Sequence, residues 1–439
     1  MHRPGPLHAF LPVLDPYEFS GGPIILVNSG LAAGGAERQV VNTLLSLDER
    51  INREIGLICI RLGQGPDLAF FKPLLAGFSG FVRNAMNAAD ASRLLKTILP
   101  RSVAQRIQDQ ITWMPWDTRE EVVRLVAEFA RLKPAVVHGW QDDSAIPAAY
   151  AARLIGVPRI LMSTRNVRPT NFMWYRPHMY YSYQELAQCH DIVMINNSEA
   201  GAIDYGRWLD LPDDRFVVKR NALDARTMRC HDPHTAIELR ARLGIPPGAP
   251  VIGSIYRFSE EKRPLLWIET AIEVAKARPD CHFIIFGSGP MRKRVEILGR
   301  RGRLVKKLHL PGAISDTALG LSLFDVLLLT SRAEGTPNVV LEASALGIPV
   351  VATEAGGTRE AIEEGVTGYV IEQAQPSVIA NAVLQVLQAP DWRARLENAG
   401  PDFVQRRFGL DRMIAETLRL YGISHVRPSS ATSQIQLPH

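Results

Sequence analysis

Two glutamates in the stretch TSRAEGTPNVVLEASALG (residues 330–347) have seven residues between them. Glu334 lies ahead of a Thr-Pro-Asn turn and Glu342 lies beyond it. Thr336 suits an N-cap, Pro337 a first helical position and Gly347 a stop, so the stretch predicts a helix over about residues 337–346. The free N–H groups at its start, around Asn338 and Val339, form an anion site. Glu342 falls four residues beyond Asn338, on the same helical face. One carboxylate can then accept from hydroxyls at a reacting centre while the other holds a ribose diol. Leu341, Ala343 and Ala345 mark the helix as largely buried, which argues against an ordinary exposed glutamate at 342.

A second constellation lies in GSIYRFSEEKR (residues 253–263), where Arg257 and Lys262 are five apart in a short loop after an apolar strand. A guanidinium fork and an ammonium point charge together suit a diphosphate leaving group. A solvated loop with ordinary surface cations is the plain alternative. The segment ATEAGGTREAIEEG (352–365) predicts a further strand, a Gly356-Gly357 turn, Thr358 as cap and a helix. FGSGP (286–290) lacks the third glycine of a dinucleotide loop and reads as a turn. His138 stands alone at a strand end and reads as structural. Cys59, Cys189, Cys230 and Cys281 show no metal-like spacing and no CxxC, which suits a reduced, cytoplasmic compartment. No Asp-x-Asp dyad occupies a strand-end loop, so neither a metal site nor a cofactor is expected.

The elements that must position these groups are short apolar strands alternating with helices. Ile24–Val27 is followed by a loop ending at Gly34-Gly35 and by a helix burying Val40, Val41, Leu44 and Leu45. Residues 55–60, 135–140, 159–164, 191–196 and 216–220 continue the pattern, which restarts with VIGSIYR after residue 248. This predicts α/β architecture with two doubly wound parallel sheets. The expected boundaries are an N-terminal extension (1–22), a first domain (23–222) with a helical insertion at about 85–132 and a linker (223–248). A second domain (249–405), a closing helix (406–424) and a disordered tail (425–439) follow. Residues 170–184 hold six aromatics, and 113–116 reads WMPW. Both segments fit either helix packing or an acceptor-binding or membrane-facing surface.

The chain has 439 residues and a net charge of +5, too small an excess to argue for nucleic acid. No signal peptide and no apolar run near 18 residues is apparent, so no membrane span is expected. Residues 291–309 hold eight Lys/Arg and one Glu. They read as a solvated face or as a contact with the anionic cytoplasmic surface of a membrane.

The series GGAER, NALD, GSIYRFSEEKRP, FGSGP, LPGAISD, EGTPNVVLEASALGIPVVATEAGGTREAI and GVTGYVI resembles family 4 of the retaining, nucleotide-sugar-dependent glycosyltransferases (glycosyl transferases group 1). The resemblance covers nearly all of residues 24–420 and is densest in the C-terminal half. It implies a GT-B fold, with two Rossmann-like domains facing a cleft. It also implies a UDP-sugar donor, used without a metal and held by the C-terminal domain, with a glycan or lipid-linked acceptor held by the N-terminal domain. An N-acetylhexosamine as the transferred sugar rests on the same resemblance. By motif position, Arg257 and Lys262 would clamp the diphosphate and Glu342 would bind ribose. Glu334 would lie beside the transferred sugar, Asn338 and Val339 would add helix N-terminal contacts, and Gly34 and Gly35 would let backbone approach the ligand. Many relatives carry a histidine after the strand equivalent to 159–164, where this chain has Arg165 and Asn166. The resemblance therefore implies a charge-stabilising or acceptor-binding part for Arg165. A sugar-nucleotide epimerase, a phosphorylase or a non-catalytic sugar-nucleotide-binding protein would share the same scaffold.

Overall fold

The computed structural model describes residues 21–63, 66–225, 228, 233–389 and 391–424. Most of the expected N-terminal extension, all of the expected tail and Cys230 lie outside the described residues. The N-terminal sheet has seven parallel strands: β1 (Ile24–Asn28), β2 (Ile55–Cys59), β3 (Phe81–Asn84), β4 (Val136–Gly139), β5 (Arg159–Thr164), β6 (Ile192–Asn196) and β7 (Phe216–Val218). Their order is β3-β2-β1-β4-β5-β6-β7. The C-terminal sheet has six: β8 (Val251–Ile255), β9 (His282–Phe286), β10 (Leu308–Gly312), β11 (Val326–Leu329), β12 (Val350–Thr353) and β13 (Gly368–Ile371), ordered β10-β9-β8-β11-β12-β13.

The apolar runs form strands because both faces of each sheet are covered. On β1, Ile25 and Val27 join one core cluster while Ile24 and Leu26 join another, the two-residue alternation of a strand buried on both sides. All four are fully buried, and burying each contributes roughly 1.5–3 kcal/mol. β3 was not expected. It is a short edge strand whose four residues are only partly buried or exposed, so its apolar signal is weak.

The segment expected as a helical insertion holds three helices, Ala88–Ile98, Arg101–Ile111 and Trp116–Leu132. Pro100 and Pro115 occupy the N-cap positions of the second and third, where the missing N–H costs nothing. The stretch expected as a linker contains the helix Pro233–Arg242. Near the C-terminus, Asp391–Phe408 and Leu410–Tyr421 are separate helices divided at Gly409. The last one returns to the N-terminal domain, burying Met413, Ile414, Leu418 and Tyr421 in that domain's core.

The expectation at Thr358 fails. Thr358 does not cap a helix; only a single turn, Arg359–Ala361, follows it. The chain is already committed there. Glu334 and Gly356 form a β-bridge, and Glu364 bridges to Gly368 a few residues later. This leaves no room for a longer helix. The Glu360 carboxylate instead accepts from the N–H groups of Glu199 (3.0 Å) and Ala200 (2.9 Å), at the start of the N-domain helix Glu199–Leu209.

Candidate active site

Strand order reverses between β1 and β4 in one sheet and between β8 and β11 in the other. Crevices at such switch points, beyond the carboxyl ends of the strands, are where open α/β sheets bind ligands. Gly34-Gly35 follows β1, Arg257 and Lys262 follow β8, and Glu334 follows β11. The expected site residues therefore reach the same two crevices.

The β8 loop is pinned to the FGSGP turn: Tyr256 N–H donates to Phe286 O (3.0 Å) and Phe258 N–H to Ser288 O (2.9 Å). Gly287 adopts φ +143°, and a Cβ there would lie 1.9 Å from Tyr256 O. This turn needs glycine because the loop carrying Arg257 packs directly on it. Arg257 is exposed, with no side-chain partner among the described residues. Lys262 ends a short turn, Glu260–Lys262, and its Nζ donates to Glu334 Oε1 at 2.5 Å. Ser331 Oγ donates to the same oxygen (2.6 Å). Glu334 is 5% exposed, so this carboxylate holds Lys262 at the crevice from below. Arg263, which sequence reasoning left unassigned, adopts φ +47° and donates to Thr330 O (2.7 Å), Ser331 O (2.7 Å) and Thr353 Oγ1 (2.9 Å). It ties the ends of β11 and β12 together beneath the site.

The helix beyond Glu334 runs Asn338–Ala345, shorter than expected, with Pro337 at the N-cap. Thr336 is not the cap, because its hydroxyl donates across the domain boundary to Asn197 O (2.6 Å). Gly347 does adopt a left-handed conformation (φ +68°) past the helix end. Asn338 Nδ2 donates to Gly35 O (2.9 Å), and Asn221 Nδ2 donates to Asn338 Oδ1 (2.8 Å). A Cβ on Gly35 would lie 2.9 Å from Asn338 Nδ2, so this helix start and the Gly34-Gly35 loop approach as bare backbone and amide. Val339 is the next residue of the same first turn and carries no cap side chain before it.

Glu342 is 3% exposed and forms an ion pair with Arg38, from the first helix of the N-terminal domain, Gly35–Arg50. Arg38 Nη1 also donates to Thr317 Oγ1 (3.3 Å). The carboxylate expected to hold a diol thus has a partner in the opposite domain. Arg38 lies within GGAER, a motif that was noticed, yet its partner is 304 residues away in the chain. Burial raises the neighbouring Glu37 to about 7, and a hydrogen bond from Gln141 opposes the rise. Its pKa in the unfolded chain is lower, so the ionised carboxylate opposes folding increasingly as pH rises from that lower value through 7. Glu37→Gln should therefore raise Tm by at least about 2 °C more at pH 8 than at pH 5; an equal change at both pH values would show that Glu37 does not titrate in the fold.

Arg165 lies over the Trp140 ring, 3.7 Å from its centroid. Its guanidinium donates to Trp140 O (3.4 Å) and Asn221 Oδ1 (3.5 Å), and Nη2 is buried with no partner among the described residues. Burial lowers it to about 9, which leaves it charged at neutral pH. Lys219, also absent from the expected set, lies 5.2 Å from the same ring centroid and is 1% exposed. Burial and the Arg165 charge lower its pKa strongly. His138 has both ring nitrogens engaged, with Tyr421 Oη (2.8 Å) and Ser163 Oγ (2.6 Å). Burial holds it well below the ordinary histidine range, in keeping with a structural residue.

Residues 236–403 match the family described as glycosyl transferases group 1. The chain is 25% identical over 411 residues to the Vi polysaccharide biosynthesis protein VipC/TviE of Salmonella typhi, covering 90% of this chain and 70% of that protein. The chain is also 34% identical over 168 residues to the alpha-D-kanosaminyltransferase of Streptomyces kanamyceticus, covering 37% of this chain and 43% of that protein. Among solved structures, Anabaena Alr3699/HepE in complex with UDP and glucose has the same fold. It aligns with a TM-score of 0.71 at 19% identity, over 91% of this chain and 99% of that one. The two parallel-sheet domains have the GT-B fold of these structures.

Proposed function

We propose that the protein is a retaining glycosyltransferase of polysaccharide or glycoconjugate biosynthesis. It would transfer a sugar, of the N-acetylhexosamine type, from a UDP-sugar to a glycan or lipid-linked acceptor. The observation that carries this reading is the Lys262–Glu334 pair at the β8/β11 switch point, beside the open Arg257 and below the helix start at Asn338. A diphosphate is the ligand whose charge those cations and N–H groups match. The UDP bound in Alr3699/HepE and the biosynthetic role of VipC/TviE support the donor and the setting.

In this mechanism the bond between the sugar C1 and the β-phosphate oxygen breaks, leaving the electron pair on the departing UDP. The acceptor oxygen bonds to C1 from the same face, and its proton passes to the released phosphate oxygen. The transition state resembles an oxocarbenium ion. Arg257, Lys262 and the amides of Asn338 and Val339 meet the growing phosphate charge as preorganised donors, without a metal. Glu334 positions Lys262 and faces the sugar, Glu342 takes the ribose diol, and Gly34 and Gly35 allow close approach. Arg165 acts from the N-domain side as a fixed positive charge. The test is a thermal-shift screen of nucleotide sugars, followed by NMR of the product's anomeric configuration. Stabilisation by a UDP-sugar and a retained configuration are expected; inversion would overturn the mechanism.

The reading includes a peripheral contact with the cytoplasmic face of a membrane. Among the described residues no helix is long and apolar enough to cross one. On and after the helix Arg292–Arg301, Lys293, Arg301, Arg303 and Lys306 are exposed without an ion-pair partner among the described residues, beside exposed Ile297 (49%) and Val305 (66%). Sedimentation with vesicles containing anionic lipid should be strong at low salt and weak at high salt. Salt-independent absence from the pellet would remove the membrane contact.

A further inference from the structure

The N-terminal domain contains a cavity of about 320 Å³ that the donor site does not use. Its size lies at the lower end of small-molecule sites. It opens where β4 and β5 end, and the two segments that do not fit the strand-helix repeat build it together. Asp117 and Glu121 come from the helix Trp116–Leu132, and Trp174 and Arg176 from the aromatic stretch after β5. The helix Asp142–Ile155 supplies the floor.

One wall is an aromatic face. Trp174 stacks on Phe172 with ring centroids 5.3 Å apart and planes 13° apart, and it stays 45% exposed. A stacked, half-open indole is a surface on which the C–H face of a sugar ring can lie. This wall is tied to the donor site. Phe172 and Val167 pack against Ala333, the residue before Glu334, and Arg332 donates to Asn171 O (3.2 Å). Opposite, Ser29, just beyond β1, donates to Asp143 Oδ2 (2.5 Å).

The polar lining is acidic. Asp117, Glu121, Asp142 and Asp143 face two guanidiniums, Arg61 and Arg176. Arg61 is paired with Glu121 at 3.0 Å, and Asp142 accepts from Tyr183 Oη (2.6 Å) and from Tyr205. Burial raises Glu121, and Asp143 and Asp117 raise it further against the pull of Arg61. Burial lowers His178, so it adds no positive charge at neutral pH. Carboxylates accept from ring hydroxyls or ammonium groups and repel a ring carboxylate.

Resting on the glycosyltransferase reading above, we propose that this cavity holds the acceptor's terminal sugar and admits neutral or amino-bearing rings while excluding uronic acids. Saturation-transfer NMR with the methyl glycosides of glucose, glucosamine and glucuronic acid tests this without a donor. The glucoside and glucosaminide should receive saturation, and the glucuronide should not. Trp174→Ala, at an exposed position, should reduce the signal at least fivefold, and Asp117→Asn should bring the glucuronide signal up towards that of the glucoside. Calorimetric binding of UDP to the same variants reports the donor site separately, and its absence in the parent protein would count against the glycosyltransferase reading alone. A glucuronide signal equal to the others, no signal from any of the three, or signals unchanged in Trp174→Ala would overturn the acceptor assignment.

Discussion

Replacing Lys262 by alanine should lower sugar transfer about a hundredfold with every donor, while the protein still folds. The figure is that of one charged donor removed from a preorganised site, about 3 kcal/mol. The structure adds a second consequence. Glu334 would keep only Ser331 on its buried carboxylate oxygen, so the group that the proposed mechanism sets beside the transferred sugar would lose its cationic neighbour. The loss should therefore appear mainly in kcat, with a smaller change in donor KM. Lys262 is only partly exposed, but its side chain lies at a crevice rather than in the core, so circular dichroism and Tm should stay near those of the parent. Turnover within threefold of the parent would remove Lys262 from the clamp.

The second large effect concerns Glu342, and it comes with a partner of opposite sign. Glu342→Gln should weaken UDP binding about tenfold, or about 1.4 kcal/mol, because an amide is a poorer acceptor for a ribose diol than a carboxylate. Arg38→Ala should act the other way. Arg38 satisfies a carboxylate that is 3% exposed, and a buried charge left unpaired is costly. Removing Arg38 leaves that carboxylate unpaired, and the hydroxyls of a bound ribose would then relieve it. UDP should bind at least about threefold more tightly to Arg38→Ala. Calorimetric titration of UDP into both variants checks the pair. Weaker binding in both would mean that Arg38 contacts the nucleotide rather than competing with it.

How much of this was legible depended on whether a residue's partner is near it in the chain. The strands showed themselves because Ile24–Val27 and their counterparts are apolar on both faces, a pattern each strand carries alone. The Glu334–Glu342 spacing was legible for the same reason, since a loop and one helix hold both. β3 was not, because an edge strand with little burial has no apolar run to read. Thr358 misled because its local chemistry favours a cap, while the bridge from Gly356 to Glu334, set by tertiary structure, overrides it. Arg38 and the N-domain cavity were beyond reach of local pattern. Arg38 finds its carboxylate in the other domain, and the cavity exists only where two separate insertions converge on β4 and β5.

The return of the helix Leu410–Tyr421 to the N-terminal core also bears on how the protein is made. The first domain's strands end at Val218, yet Met413, Ile414, Leu418 and Tyr421 complete one face of its core. The ribosome supplies that helix roughly 200 residues later, which at about 5–20 residues per second is a delay of about 10–40 s. Until then the nascent N-terminal domain lacks the part of this cluster that those four side chains supply. Its final folding step therefore waits for the helix Leu410–Tyr421, and a chain cut short before Leu410 should depend on chaperones to stay in solution.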